Sequence, residues 1–284
     1  MRPGGEQPVQ PVAASGVLQA LAKGATFADE GDIPMPVVVT EPLAMPRPLA
    51  PTPGRKRRVP KKLHSYFVAF TIVFAALVLA GFSRTFFLPM AKGTLAKPLV
   101  VHVHGALFFG WTALLVLQAC LAATKRLRLH RKIGTVAGWL ILPMLLMGTI
   151  VAARDTVHDY YAGDGNAALS FFYGELADLA MFAILAGAAM FLRDKPEFHK
   201  RWVIMGSLGL LGAAIGRIHE ISVFGLHIFV VLIASVALYD IASRRAVHVA
   251  TLIGASVLLA MNLSEEPIGN TQAWIRAAHW MLGV

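Results

Sequence analysis

The residues best suited to chemistry are ionisable side chains set inside apolar runs. His102 and His104 interrupt one run, Asp178 a second, Arg217 and His219 a third, and His227 a fourth. A charged side chain near the middle of a bilayer costs about 2.5–3.5 kcal/mol, so such residues generally face a bundle interior or a wet cavity. Two neutral imidazoles from different helices can ligate a haem iron axially, and several can hold copper or zinc. An arginine beside a carboxylate and an imidazole can instead bind a quinone or carry protons, and Arg with Asp suits an anionic or zwitterionic ligand. Haem b, copper and quinone are therefore the candidate cofactors. No helix carries two histidines about a dozen residues apart, so at most one haem is supportable.

These side chains need long apolar helices to hold them, and the composition provides for that. The 284 residues are 56% hydrophobic and 15% charged, against roughly 45–50% and 25% in soluble domains. Apolar runs at 65–83, 98–123, 134–153, 172–192, 202–222, 223–241 and 247–264 have about the 20 residues needed to cross a hydrocarbon core. The fold class predicted is all-α: a polytopic transmembrane bundle of about seven helices over 63–264, with a short interfacial helix over 265–284. Pro143 should bend the third helix, and Gly212 with Gly216 forms a GxxxG pattern that lets helices approach closely. Ten of the sixteen prolines fall between Pro3 and Pro53, which marks 1–62 as a disordered tail with a basic end and one short amphipathic piece at 17–22.

Orientation follows from Lys and Arg, which concentrate on the cytoplasmic side. With the N-terminus inside, the inner segments hold seventeen: six from Arg55 to Lys62, five from Lys125 to Lys132, four from Arg193 to Arg201, and Arg244 with Arg245. The outer segments hold five: Arg84, Lys92, Lys97, Arg154 and Arg276. A multi-pass protein of the cell inner membrane is the expectation. Its net charge of +10 lies in clusters between apolar runs rather than along one surface, so lipid headgroups are the counter-charge and no nucleic acid is expected.

Depth at about 1.5 Å per residue puts Asp178 and Arg217 roughly 8 Å below the outer surface, where a buried ion pair is predicted. His102, His104, His219 and His227 come out roughly 5–9 Å deep on the same count, so four helices place ionisable groups at one level. Helical periodicity sorts them further. His104 shares a face with Gln118, whereas His102 points nearly oppositely and His219 points away from Arg217. His104 is the better interior candidate.

A second set of histidines stands at the inner ends: His64, His130, His199 and His248. Interfacial anchoring accounts for them with Lys and Arg. Two of these loops carry more pattern: His130-Arg131-Lys132-Ile133-Gly134, and His199-Lys200-Arg201-Trp202 followed by Met205 and Arg217. With His102-Val103-His104-Gly105 and Gln118, they resemble a family of bacterial multi-pass inner-membrane proteins of unknown function that carries H-R-x-x-G and H-[KR]-R-W loops. The resemblance covers about 98–220. It implies a shared fold and marks His104, His130, His199 and Arg217, but supplies no reaction.

The lone Cys120 excludes an intramolecular disulfide and any CxxC motif. No nucleophile triad, phosphate-binding loop, dinucleotide fingerprint or HExxH occurs. The leading expectation is an outer-leaflet His/Arg/Asp site that binds haem, metal or quinone for electron transfer or its assembly. The alternatives are a small-molecule transporter or membrane sensor, whose Asp178–Arg217 layer recognises a small ligand, and a non-catalytic organiser of other membrane proteins.

Overall fold

A computed structural model describes residues 65–284. The tail expected over 1–62, its piece at 17–22 and His64 lie outside the described residues.

The apolar runs become helices. In chain order these are α1 (Tyr66–Phe82), extended by a π-helical turn (Ser83–Phe87) and α2 (Leu88–Ala91), then α3 (Leu99–Ala123), α4 (Leu127–Trp139) and α5 (Ile141–Asp159). Next come a π-helical turn (Tyr160–Asp164), α6 (Asn166–Phe191), α7 (Pro196–Gly209), α8 (Gly212–Ile215) and a 3₁₀ turn (Ser222–Phe224). Then follow α9 (Gly225–Arg244), α10 (Val249–Gly269) and α11 (Gln272–Leu282). The protein is an all-α polytopic bundle. Six helical stretches among the described residues are long and apolar enough to span a membrane: Tyr66–Ala91, Leu99–Ala123, Leu127–Asp164, Asn166–Phe191, Ser222–Arg244 and Val249–Gly269. The fifth expected span, 202–222, is interrupted. Its helix stops at Gly209, resumes for one turn as α8, and gives way to turns before α9.

Local chemistry sets several boundaries. Pro143 has no N–H and its ring crowds the carbonyl four residues back, and the break between α4 and α5 falls there, at Leu140. The chain reverses between α5 and α6 through Gly163 and Gly165, whose φ values of 122° and 52° suit glycine alone. Pro196 opens α7 at its first turn with Glu197 beside it. Thr271 caps α11 by accepting from the Trp274 N–H at 3.2 Å.

Helix α6 is the hub, packed by α5, α7, α10 and α11. The main core joins Phe70, Phe74, Met181, Leu185, Met205, Leu208 and Val236 from α1, α6, α7 and α9. Outward-facing Val136, Trp139, Leu142, Phe171, Phe191 and Val231 are more than 60% exposed. A soluble monomer rarely tolerates so much bare apolar surface; lipid covers it in a bilayer. Of the segment 265–284, expected as one short interfacial helix, 265–269 finish α10 and Gln272–Leu282 form α11. Helix α11 buries Ile275 and Ala278 against Leu169 and Phe172, and Trp274 Nε1 donates to the Leu169 carbonyl at 2.8 Å.

Candidate functional site

Seven ionisable residues from five parts of the fold converge in the half of the bundle where α5 turns into α6. Glu175 and Asp178, one turn apart on α6, share a face. Glu175 lies within coulombic range of Arg217, Asp155 and Asp159 and beside the Thr156 hydroxyl. Asp178 lies within coulombic range of Glu175 and of Glu265 from α10. Glu265 is placed by a polar seam between α6 and α10: Tyr173 Oη meets Ser264 Oγ at 3.1 Å, Asn262 Nδ2 donates to Glu265 Oε1 at 3.3 Å, and Ser170 Oγ donates to Asn270 Oδ1 at 2.9 Å. His104 on α3 stacks on Phe108 at 4.2 Å, is in range of Asp155 and Arg217, and leaves its buried Nδ1 without a hydrogen-bond partner among the described residues.

An open cleft adjoins this layer, lined by Asp155, Thr156, Asp159, Asp164, Phe171 and Glu175. Arg154 pairs with Asp155 and His158 with Asp159, both at 3.0 Å. Carboxylates outnumber cations along the whole path from cleft to Asp178, so the site favours a positive charge or a proton.

The expected ion pair is not formed. Arg217 Nη1 donates to the Ala213 carbonyl at 2.5 Å, and its guanidinium lies 4.7 Å from the Phe82 ring centre. Counting depth along an unbroken helix put Arg217 opposite Asp178, but α8 ends at Ile215 and Arg217 belongs to the turns beyond it. Asp178 rests instead against the break in α7. Cβ atoms added to Gly209 and Gly212 would meet its backbone and carboxylate oxygens at 3.0 Å. Non-helical backbone at membrane depth persists only where protein buries it or it lines a cavity.

Of the four imidazoles expected at this level, only His104 joins the cluster. His102 Nδ1 lies 3.2 Å from the Pro98 carbonyl oxygen with the ring beside Phe86. His219 and His227 are exposed, the latter edge-on to Phe224. No group of three or more His, Cys, Asp or Glu among the described residues is arranged to hold a metal ion.

The loop motifs of the sequence are helical in fact. His130 lies in α4 and His199 in α7, and their rings meet at 6.3 Å between centres with planes at 89°. Beside them is a network that sequence reasoning missed. Arg201, with no exposed side-chain surface, donates from Nε to Thr251 Oγ1 at 3.1 Å and from Nη1 to Glu197 Oε2 at 2.8 Å, and forms an ion pair with fully buried Asp240. Asp240 also accepts from Thr251 Oγ1 and from the His248 backbone N–H. Glu197, ahead of the span, joins Lys200 and Arg244 as well. Burial pushes its carboxyl up, but the hydrogen bonds from Lys200 and Arg201 outweigh this and hold it down at about 2. Only the alternation of Asp240 with apolar neighbours could have flagged this carboxylate, and its partners come from two other helices.

No known protein family, curated protein or solved structure matches the chain.

Proposed function

We propose that the protein is a carrier of the cell inner membrane, N-terminus inside, that takes a proton or a small cation from the outer side into the site formed by His104, Glu175, Asp178 and Arg217. One observation carries this reading. The Asp178 carboxylate has neither hydrogen bond nor ion pair among the described residues and sits against the break between α7 and α8. An unpaired carboxylate at that depth is costly, and interrupted helices beside intramembrane carboxylates are the usual construction of ion sites in carriers. The cleft at Asp155 and Glu175 supplies the approach from water. The haem and copper readings of this layer lose support, because His102, His219 and His227 stay apart from His104.

The test is reconstitution into vesicles loaded with a pH-reporting dye. An imposed pH gradient should decay faster with the protein than without it, and Asp178→Asn should remove most of that difference. Equal decay with wild type and Asp178→Asn, together with no Asp178-dependent uptake of sodium or potassium, would overturn the reading.

A further inference from the structure

The ring nitrogens of His130 and His199 are assigned by their partners. His199 Nδ1 lies 2.8 Å from the Ala189 carbonyl oxygen, which can only accept. The proton is therefore on Nδ1, and Nε2 carries a lone pair. His130 is different because Gln118 reaches it. With its amide nitrogen facing His130, Gln118 donates to His130 Nδ1 at 2.6 Å and to the His130 carbonyl at 3.1 Å, while its oxygen accepts from the Gly134 N–H at 2.9 Å. The opposite orientation sets oxygen against oxygen and N–H against N–H, so the first is favoured. His130 Nδ1 also lies 3.2 Å from the Gln118 backbone carbonyl oxygen, but the shorter 2.6 Å approach of the Gln118 amide decides its role: Nδ1 accepts from that amide and the proton sits on Nε2. Neither Nε2 has a protein partner among the described residues.

Both rings line one half-open pocket, whose other walls include Trp111, Leu114, Leu115, Ala137, Met190 and Val203. The Trp111 N–H is taken by Ser207 Oγ at 3.0 Å, so the indole offers this pocket only apolar surface. A flat apolar ligand with two oxygens fits such walls. A metal ion does not: it would require lone pairs on both Nε2 atoms and further ligands that this pocket lacks.

We propose that this pocket, separate from the carrier site, binds the headgroup of a membrane quinone and prefers its reduced form. His130 Nε2–H donates to one ligand oxygen in either redox state. His199 Nε2 accepts only from a hydroxyl, which the hydroquinone has and the quinone lacks. The reduced form thus gains one hydrogen bond, an advantage of roughly three- to tenfold in affinity.

Detergent-purified protein titrated with decylubiquinone and with decylubiquinol, followed by tryptophan quenching, tests this. Saturable binding of both is expected, with the quinol tighter by roughly three- to tenfold. His199→Phe should remove that preference and leave quinone affinity in place, whereas His130→Phe should weaken both. Val203→Trp fills the pocket while both imidazoles stay in the chain and should abolish both, so the proposal stays testable if a histidine variant fails to fold. Absence of saturable binding, equal affinities for the two redox forms, or unchanged binding in Val203→Trp overturns it. So does stoichiometric binding of zinc, copper or haem that both histidine variants abolish.

Discussion

Arg201 is the largest side chain with no exposure among the described residues, and it satisfies carboxylates on its own helix and on α9 together with a hydroxyl on α10. Such a cluster is stable only when complete, because removing one member leaves the others buried and unpaired. Arg201→Met should therefore lower stability by about 3–5 kcal/mol, read as a fall in thermal unfolding temperature in detergent. A loss no larger than that of an exposed arginine such as Arg193 would show the network to be dispensable. At this scale the sequence was informative about which residues matter and poor on which of them meet. His104, Asp178, Arg217, His130 and His199 stand out in it because ionisable groups in apolar company are costly whatever their partners. Pairing depends on helix rotation and on breaks. The turns after Ile215 take Arg217 away from Asp178, and α4 and α7 turn His130 and His199 towards one pocket rather than towards headgroups.

The elements were largely legible because an apolar run of about 20 residues has few other fates. The fifth was not, since its composition is continuous while its backbone is interrupted. Glycines explain the difference. The GxxxG pattern of Gly212 and Gly216 drew attention in the sequence, yet a Cβ on Gly216 would meet nothing nearer than the Gly212 carbonyl oxygen at 3.4 Å. The close approach to α6 uses Gly206, Gly209 and Gly212, spaced by three. A Cβ on Gly206 would lie 2.7 Å from the Ala186 backbone nitrogen and 3.1 Å from Leu185 Cβ. Neither contact is a flexible side-chain tip, so the helices must part. Gly206→Ala should destabilise by about 1–3 kcal/mol, even though alanine is the better helix former, while Gly216→Ala should stay within about 0.5 kcal/mol. Thermal unfolding of the two variants side by side checks this, and equal tolerance would remove the role given to Gly206.

On the whole-molecule scale, the two polar centres lie towards opposite ends of α6. Glu175 marks one and Ala189, which fixes His199, marks the other; fourteen residues at about 1.5 Å each separate them by roughly 21 Å of a roughly 30 Å core. Orientation therefore decides which centre faces which compartment, and the basic residues supply the argument. Lys125, Arg126, Arg128, Arg131 and Lys132 crowd the end that holds His130, whereas Asp155, Asp159 and Asp164 gather at the cleft. Since Lys and Arg are retained on the cytoplasmic side, the histidine pocket should lie at the inner leaflet and the acidic cleft outside. Reporter fusions after Arg128 and after Gly163 should then read cytoplasmic and external respectively. The reversed pattern would leave both sites intact as structures but invert the direction of uptake at Asp178, and an external reading at both positions would contradict the crossing made by Leu127–Asp164 itself.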